Sequence, residues 1–424
     1  MLKENGEQML KNFAETAFQP TITEITNGIY HVMGYAHSNS IIIEAEKSVI
    51  LIDTFDSDAR AEKLKKIIAD ITKKPVKTII YTHGHPDHRG GAGAFNDTVE
   101  EIIAFAPKKP ILGRMNELND ILDKRSAFQF GYHLSDEEVI TQGIGIREGL
   151  VVGDGKRAFT PPTTIYKEEK VSRTIDGILL EFVSAIGETD DTIFIWLSDS
   201  KVLCCGDNYY GCFPNLYALR GSQYRDVSAW IDSLDLILSY PAKFVLPGHT
   251  KPLIGRNKVQ EVLSNFRNAI DHVLTETLRG MNKGLTIDEL ASSIKLPEKY
   301  AHLPYLGEFY GTVEWSVRSI YTGYLGWFDG NPTNLNKLPP KEHAVKMLEL
   351  IGGEANTIKE IKKALSNQEA QWAVELCDLL LSAEREIKIT KKLKADGLMA
   401  LSKLETSANG RHYYIACAKE LLGN

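Results

Sequence analysis

The fold of this chain of 424 residues is decided by the stretch His83-Gly84-His85-Pro86-Asp87-His88. Residues 76–82 precede it and are β-branched or aromatic at most positions, which predicts a buried strand that ends where the stretch begins. Side chains two positions apart in an extended segment project to the same side, so His83 and His85 face one way. Asp87 and His88 are neighbours and converge only if the chain turns, and Pro86 with the glycine-rich residues 89–93 supplies that turn.

The side chains of this stretch have the chemistry of a metal site. Neutral imidazole nitrogen and carboxylate oxygen are ligands that Zn²⁺ prefers. Two pairs of ligands offered from one turn indicate two metal ions rather than one. The alternative is a solvated polar loop that contains three histidines by chance. Because the whole chain holds only 11 His, we favour the metal site.

Composition limits the classes of protein that the chain can represent. Its length predicts two or three domains, and 43% hydrophobic with 25% charged residues is ordinary for a soluble globular protein. Lys and Arg number 49 against 56 Asp and Glu, and the net charge of −7 argues against a nucleic-acid partner. No stretch is apolar enough to span a bilayer, and residues 1–7 do not resemble a signal peptide, so we expect a cytoplasmic protein. Five Cys do not form a disulfide framework.

Hydrophobic periodicity divides the chain into a mixed α/β part and a helical part. Residues 110–165 are predicted to form an insertion with one or two helices over the active site. We expect this insertion to contact the substrate. The predicted strands are 28–33, 40–44, 48–53, 76–82, 100–105, 173–183, 192–197, 201–205 and 243–246. The predicted helices are 1–17, 58–72, 227–238, 257–279, a helix from a capping box at 286–289, and 341–352, 356–365, 367–382 and 384–404. The pattern up to about residue 255 therefore predicts two sheets packed face to face, with helices on their outer faces.

The pattern His-x-His-x-Asp-His after a hydrophobic strand resembles the signature of the metallo-β-lactamase superfamily. That resemblance implies an αββα sandwich and a site for two metal ions. It says little about the substrate, because the superfamily hosts lactamases, thioesterases, nucleases, sulfatases and oxidoreductases.

The resemblance also implies the remaining metal ligands. Where most of the superfamily has a Gly-His-Thr-Pro-Gly segment, this chain has residues 187–191 with Glu188 in place of the His. Glu188 is alternatively a surface carboxylate in an acidic loop, and His249 a turn histidine, although Gly248 lets the backbone approach closely there. The implied set is His83, His85 and Glu188 on the first metal, Asp87, His88 and His249 on the second, and Asp207 shared between them.

Asp53 closes the third predicted strand and has two possible roles. In the superfamily the matching Asp supports the metal ligands from behind, which the resemblance carries over to Asp53. Alternatively, Asp53 caps the helix that follows, where Ser57 or Asp58 would compete with it. The sequence leaves both roles open.

Glu188 is the residue that narrows the resemblance to the alkylsulfatase branch, whose members hydrolyse alkyl sulfate esters with two zinc ions. Residues 305–314 and 324–332 resemble the helical dimerisation domain of that family. The resemblance therefore covers nearly the whole chain. It implies a catalytic domain at 1–255, a helical dimerisation domain at 256–424 and a homodimer.

Three substrate-binding residues are implied by the same resemblance. An Asn and an Arg after the shared acid bind sulfate in that family, and Asn215 and Arg220 fit those places; Arg220 is alternatively a structural residue paired with an acid. Phe130 stands where the characterised enzymes have a sulfate-binding Tyr, and Asp207 where they have Glu. No segment here resembles the sterol-carrier-like C-terminal domain of those enzymes.

These features predict a binuclear zinc hydrolase acting on a small anionic ester, with Asp87, Asp207 and Arg220 as the catalytic residues. A water shared by two Zn²⁺ would attack an alkyl sulfate while Arg220 stabilises the leaving anion. The alternative substrate is another ester: a phosphoester, lactone or thioester. A flavodiiron-type oxidoreductase is disfavoured, because that group has Glu where His85 stands and an added flavin domain. A non-catalytic helical dimer is disfavoured by the complete set of ligands.

Overall fold

The structure, a computed structural model, describes residues 5–109 and 112–423. Two residues of the predicted insertion and the first four of the predicted N-terminal helix lie outside this part. The described strands are β1 Thr21–Thr26, β2 Ile29–Met33, β3 Ser40–Glu44, β4 Val49–Ile52, β5 Val76–Ile80, β6 Glu101–Phe105, β7 Thr164–Tyr166, β8 Lys170–Ile175, β9 Ile178–Ser184, β10 Ile193–Leu197, β11 Val202–Gly206, β12 Phe244–Pro247 and β13 Leu253–Ile254.

The helices occupy the outer layers and the whole C-terminal part. They are α1 Gly6–Ala17, α2 Asp58–Ile71, α3 Pro86–Arg89, α4 Asn119–Gln129, α5 Asp136–Val139, α6 Gly149–Val152, α7 Val227–Ser239, α8 Arg256–Asn282, α9 Ile287–Ser293, α10 Glu298–Ala301, α11 Val313–Leu325, α12 Pro340–Ile351, α13 Glu354–Ser366, α14 Ala370–Ser382, α15 Ile387–Leu404 and α16 Ala408–Leu422.

Two sheets pack face to face, as the sequence predicts. The first has the order β1-β2-β3-β4-β5-β6-β7 and the second β13-β12-β11-β10-β9-β8. One core cluster joins them, with side chains such as Ile52 and Ile80 from the first sheet against Phe182 and Ile195 from the second. Helix α2 covers the outer face of the first sheet, and α7 and α8 cover the second. This is the expected αββα sandwich.

The strands that carry candidate ligands end at one edge of the sandwich. β5 runs parallel to both β4 and β6 and is largely buried, which explains its nearly continuous hydrophobic run. β11 and β12 are also parallel neighbours, in the second sheet. Asp53, His83, Asp207 and His249 follow the last residues of β4, β5, β11 and β12 by at most three positions. The sheets therefore bring together ligands that are far apart in sequence.

The structure corrects one predicted strand and adds elements that periodicity did not show. The single strand at 173–183 is wrong, because β8 and β9 form a hairpin around Asp176 and Gly177. Both turn residues have positive φ, 44° and 83°, as a two-residue hairpin with an Asp-Gly turn requires. Hydrophobic periodicity also did not predict β1, β7, β13, α10, α11 and α16.

The helical part packs on both the second sheet and the insertion. Helices α8, α9 and α11 share a core cluster with α7, including Trp230, Phe266 and Ile320. The domain boundary between residues 255 and 256 stays a prediction, and apolar packing is continuous across it. At the other end, α16 packs on α4 of the insertion, where His412 Nδ1 lies 2.9 Å from the Gln129 carbonyl oxygen.

Within residues 5–109 and 112–423, no helix has both the length and the apolar character needed to cross a membrane.

Candidate metal centre

The chain after β5 directs two imidazoles towards one point. Thr82 Oγ1 donates a hydrogen bond to Asp53 Oδ2 at 2.7 Å and so accepts from His83 Nδ1 at 3.0 Å. That bond leaves the lone pair of the imidazole on His83 Nε2. His83 Nε2 lies 2.9 Å from His85 Nδ1, as expected for side chains on the same side of an extended segment.

The turn predicted after His85 is the single helical turn α3, which begins with Pro86. A proline at the first helical position is favourable because its fixed φ suits a helix and no N–H is needed there. The Ser38 hydroxyl holds the turn by donating to the Asp87 carbonyl oxygen at 2.7 Å. The turn brings Asp87 Oδ2 within 3.2 Å of His88 Nε2.

Asp53 supports the site from behind and does not cap the next helix. It accepts hydrogen bonds from Thr82 N at 2.9 Å, from Thr82 Oγ1 at 2.7 Å and from His88 Nδ1 at 2.8 Å. Its backbone has a φ of 57°, which is uncommon for a residue with a side chain and is held by these bonds. Ser57 caps α2 by accepting from the Arg60 amide. This geometry settles the two roles that the sequence left open.

Four donor groups converge beside α3: those of Asp87, His88, Asp207 and His249. His249 Nδ1 donates to the His37 carbonyl oxygen at 2.9 Å, so its Nε2 also has a free lone pair. His88 Nε2 lies 3.3 Å from His249 Nε2, and the carboxylate oxygens lie 3.2–3.4 Å from these nitrogens. Four ligands at the roughly 2.0–2.1 Å usual for Zn²⁺ lie about 3.3 Å apart in a tetrahedron.

A second set of donors adjoins the first. His85 Nδ1 lies 3.5 Å from Glu188 Oε2, and His83 Nε2 lies 3.7 Å from Asp207 Oδ2. His85, Glu188 and Asp207 offer atoms that are all within 4.8 Å of one another. His83, His88 and Asp207 do so as well, so the two sets form one continuous cluster around Asp207.

The cluster has the properties of a cation site. Imidazole nitrogens and carboxylate oxygens face one another there, and Asp207 Oδ1 is buried with no hydrogen-bond partner in the described residues. Burial opposes ionisation of Asp87, but His88 and His249 hold its pKa well below the usual range. Burial likewise opposes ionisation of Asp207, and His249, His88 and His83 keep its pKa low. Ionised buried carboxylates of this kind are compensated by cations.

Gly248 is needed for this close packing. A Cβ atom at Gly248 would overlap Asp207 Oδ1 and lie 2.7 Å from His88 Cε1. The sequence predicted a close backbone approach at this glycine, and the geometry confirms it.

Glu188 is held by two buried partners that the sequence analysis did not identify. Arg225 Nη1 lies 3.1 Å from Glu188 Oε2, and the Tyr210 hydroxyl donates to Glu188 Oε1 at 2.5 Å. The Tyr210 hydroxyl also accepts from the Asn215 amide at 2.7 Å. Glu188 is buried, so it is not the surface carboxylate of the alternative interpretation.

A cavity of about 590 Å³ opens beside the cluster. Its walls include His85, Asp87, Glu188 and Asp207, together with all three predicted substrate residues, Asn215, Arg220 and Phe130. The insertion contributes a large part of the wall, through α4 and the residues that follow it, as the sequence predicted.

Arg220 has no carboxylate partner within the described residues. Its side chain donates only to the Gly221 carbonyl oxygen, at 3.4 Å, while its amide donates to Gln129 Oε1 at 2.7 Å. Burial and the neighbouring Arg225 lower the pKa of Arg220. The guanidinium is therefore an incompletely compensated cation in the cavity wall, and an anion there would relieve it.

Phe130 and Asn215 take different positions in the wall. Phe130 follows the last residue of α4, and its ring lies edge-on to His37 with centroids 6.5 Å apart. Asn215 is buried, and its Oδ1 has no hydrogen-bond partner in residues 5–109 and 112–423.

Comparison with known proteins identifies the family. Residues 33–249 match the family described as the metallo-beta-lactamase superfamily, which is half of the chain. The chain belongs to the metallo-β-lactamase superfamily. Residues 286–424 match a second family, described as alkyl sulfatase dimerisation, so this member of the superfamily lies in its alkylsulfatase branch.

Relatives of this superfamily member align along nearly its whole length. A linear primary-alkylsulfatase of Pseudomonas sp. is 36% identical over 90% of this chain and 74% of its own length. An alkyl/aryl-sulfatase of Saccharomyces cerevisiae is 31% identical over 94% of this chain, which spans 63% of that protein. The structure of a double mutant of the sec-alkyl sulfatase PisA1 superposes with a TM-score of 0.86, at 27% identity, over 98% of this chain and 67% of the other.

The superfamily motif could not reveal every residue of the site. His37, Tyr210, Arg225 and Tyr310 all lie at the cavity or touch a donor, yet they are scattered over 274 positions (310 − 37 + 1) with no local pattern. His37 carried the one visible signal, because only 11 His exist in the chain.

Proposed function

We propose that the protein is a two-zinc hydrolase that converts alkyl sulfate esters and water into an alcohol and hydrogen sulfate. The observation that carries this proposal is Arg220, a cavity cation without a carboxylate partner that shares a cavity with the cluster of metal donors. The relatives, which are named as alkylsulfatases, support the choice of a sulfate ester.

The proposed ligands follow the two donor sets. The separations of 3.2–3.4 Å around His88 and His249 suit a tetrahedral ion, and imidazole with carboxylate suits Zn²⁺. Two Zn²⁺ ions held there would supply an activated water and a Lewis acid. The first position takes His83, His85 and Glu188, the second takes Asp87, His88 and His249, and Asp207 is shared.

Arg220 and Asn215 would hold the sulfate group. Arg220 offers a planar set of donors to sulfate oxygens, and the buried Asn215 lies at the same wall. Arg225 does not compete for this role, because its Nη1 is engaged by Glu188 and by the Asn215 carbonyl oxygen. The charge that develops on the sulfate is then met by Arg220.

Asp87 and Asp207 would act by holding the reacting centre. A carboxyl group that binds a metal must be deprotonated, so as proposed ligands they do not serve as proton donors. Phe130 has no hydroxyl that could donate a hydrogen bond to the sulfate. We therefore expect the cavity wall directly after α4 to stabilise the sulfate less than in enzymes with Tyr at this place.

The helical part would join two copies of the chain. Its match to a dimerisation family supports a homodimer. Leu325, the last residue of α11, and Trp327, two residues further on, are 55% and 73% exposed. Tyr324 beside them is also exposed, and neighbouring exposed apolar side chains are a feature of interaction surfaces.

The decisive experiment combines metal analysis with a substrate screen. Protein loaded with Zn²⁺ should contain about two ions per chain and release sulfate from alkyl sulfates of some chain length. The same preparation is assayed on phosphoesters, lactones and thioesters. Sulfate release without cleavage of these esters supports the proposal, and cleavage of one of them with no sulfate release from any chain length overturns it.

Two further measurements sharpen this test. Hydrolysis in ¹⁸O-labelled water places the label in sulfate if the S–O bond breaks and in the alcohol if the C–O bond breaks. Asp207→Ala should lower both the metal content and the activity, whereas Arg220→Ala should lower the activity alone. Equal metal loss in both variants would contradict the proposed roles.

A further inference from the structure

His37 is a buried residue of the cavity wall that has no role in the metal assignment above. It lies between β2 and β3 and is only 4% exposed. A ring nitrogen of His37, a carboxylate oxygen of Asp87 and a ring nitrogen of His249 lie within 4.8 Å of one another. The donor atoms of His83, His88 and Asp207, and those of His85, Glu188 and Asp207, are also within 4.8 Å of one another. His37 is therefore as close to its neighbours as the proposed ligands are to theirs.

The hydrogen bonding of His37 leaves one nitrogen available. Its Nδ1 lies 2.9 Å from the Ile146 carbonyl oxygen, which can only accept, so Nδ1 carries the proton. Nε2 then has a lone pair, and no hydrogen bond to it is found in residues 5–109 and 112–423. Histidines that bind metals usually donate their other N–H to a carbonyl or carboxylate. His249, bound through Nδ1 to a carbonyl oxygen, shows this arrangement here.

The ring of His37 is also fixed in place. A Cβ atom at Gly145 would overlap the His37 carbonyl oxygen and lie 2.9 Å from its Nδ1, so the loop packs directly against this residue. The ring contacts His249 with centroids 5.3 Å apart and the edge of Phe130 from another side. A donor that is fixed before the metal arrives loses little conformational entropy on binding.

We propose that His37 is a further nitrogen ligand of the second metal position. The inference rests on the proposed two-metal site and adds a ligand to it. The second position then has three imidazoles and two carboxylates, one ligand more than the tetrahedral set of Asp87, His88, Asp207 and His249, whereas the first has two imidazoles and two carboxylates. Imidazole-rich sites favour Zn²⁺ and the later transition metals, so the second ion is bound more tightly than the first.

The asymmetry also locates the open coordination position. His37 fills space at the second metal that a substrate oxygen would otherwise use. The first position has its ligand His85 in the cavity wall, together with Arg220 and Arg225. His85 and Glu188 would therefore hold the metal ion that lies nearer to the bound sulfate ester.

His37→Ala and His37→Gln test the inference without disturbing His249. The bond from His249 Nδ1 goes to the backbone carbonyl of His37, which both variants keep. His133→Ala is the matched control, because His133 lines the same cavity but belongs to none of the donor groups. Metal affinity is measured by competition with a chelator of known affinity.

The expected result is that each His37 variant binds one of its two ions at least about tenfold more weakly, with the other ion and the His133→Ala protein unchanged. Unchanged affinities for both ions in a folded His37 variant would overturn the inference. Wild-type protein that binds fewer than two ions would instead overturn the proposed function, so the two failures are distinguishable.

Paramagnetic NMR of the Co²⁺-loaded wild-type protein gives an answer even if neither variant folds. Each bound imidazole contributes one exchangeable, strongly shifted N–H resonance. More such resonances than His83, His85, His88 and His249 can provide support a ligand role for His37. A spectrum fully accounted for by those four residues would overturn it.

Discussion

Arg225 Nη1 lies 3.1 Å from Glu188 Oε2, and the same nitrogen donates to the Asn215 carbonyl oxygen. One buried guanidinium thus joins a proposed metal ligand to a proposed sulfate-binding residue. Burial disfavours the charged form of Arg225, but Glu188 raises its pKa and keeps it a cation. Glu188 stands where most of the superfamily has an uncharged His, and Arg225 supplies the opposite charge that this carboxylate needs.

Arg225→Ala should weaken metal binding at the first position about 10- to 100-fold, because it removes a partner that orients Glu188. Arg225→Lys should restore part of the affinity by keeping the charge. Chelator competition measures both. Arg220→Ala is the control, and an equal loss of affinity in Arg220→Ala would show that the effect is not specific to Glu188.

Arg220→Ala should lower kcat/KM for alkyl sulfates by roughly 2–4 kcal/mol of transition-state stabilisation, or about 30- to 1000-fold. The metal content should not change. Arg157→Ala is a matched control, since Arg157 also lines the cavity but is paired with Glu148 at 3.1 Å. Losses of the same size in both variants would point to the net charge of the cavity rather than to a specific contact.

Phe130→Tyr should raise kcat/KM for sulfate esters, because it adds a hydroxyl donor at the cavity wall. The Phe130 ring is partly buried and lines the cavity, so the new hydroxyl needs little rearrangement. Phe130→Leu controls for altered packing. Activity in Phe130→Tyr at or below that of the wild type would count against placing Phe130 at the sulfate.

Trp327→Glu should convert a homodimer into monomers at micromolar concentration, because it introduces a charge into an exposed apolar surface. Light scattering coupled to size-exclusion chromatography gives the mass. Trp372→Glu, on α14, is the comparison, since Trp372 is also about half exposed. If only Trp372→Glu dissociates the dimer, the interface lies at α14 and not at Trp327.

Stability should fall as the pH drops from about 6.5 to about 4, in part through His412. Burial lowers the pKa of His412 from 6.5 to about 4, and the carbonyls of Val139 and Gln129 offset only part of that effect. Between these values the unfolded chain binds more protons than the folded one, so stability is fully present above pH 6.5 and is lost on acidification. The contribution is on the order of 3 kcal/mol.

Urea unfolding at pH 7 and pH 5 measures this dependence. His412→Gln should be destabilised at both values and lose less stability than the wild type between them. An unchanged difference between the two pH values would show that His412 does not titrate in this window.

The sequence allowed the fold and the donors at 83–88 to be predicted because both follow from local patterns, whereas Glu188, Asp207 and His249 were implied only by the family resemblance. The strand before His83 and the helical periodicity after Asn257 are visible in short windows. The hairpin at Asp176 was missed although an Asp-Gly signal was present, because residues with strand character lie directly on both sides of it. Arg225 and His37 could not be found in this way, since their partners lie in other elements and only the folded chain brings them together.

The contact between α16 and α4 means that the metal site and the shape of its cavity depend on different parts of the chain. Every proposed ligand lies before residue 255, yet α4 rests on His412, which is 283 positions away from Gln129. A fragment that ends at residue 255 would keep all the proposed ligands and lose the support of its cavity wall. An exchange of substrate preference between relatives should therefore succeed only when the insertion and the final helix are transferred as a pair.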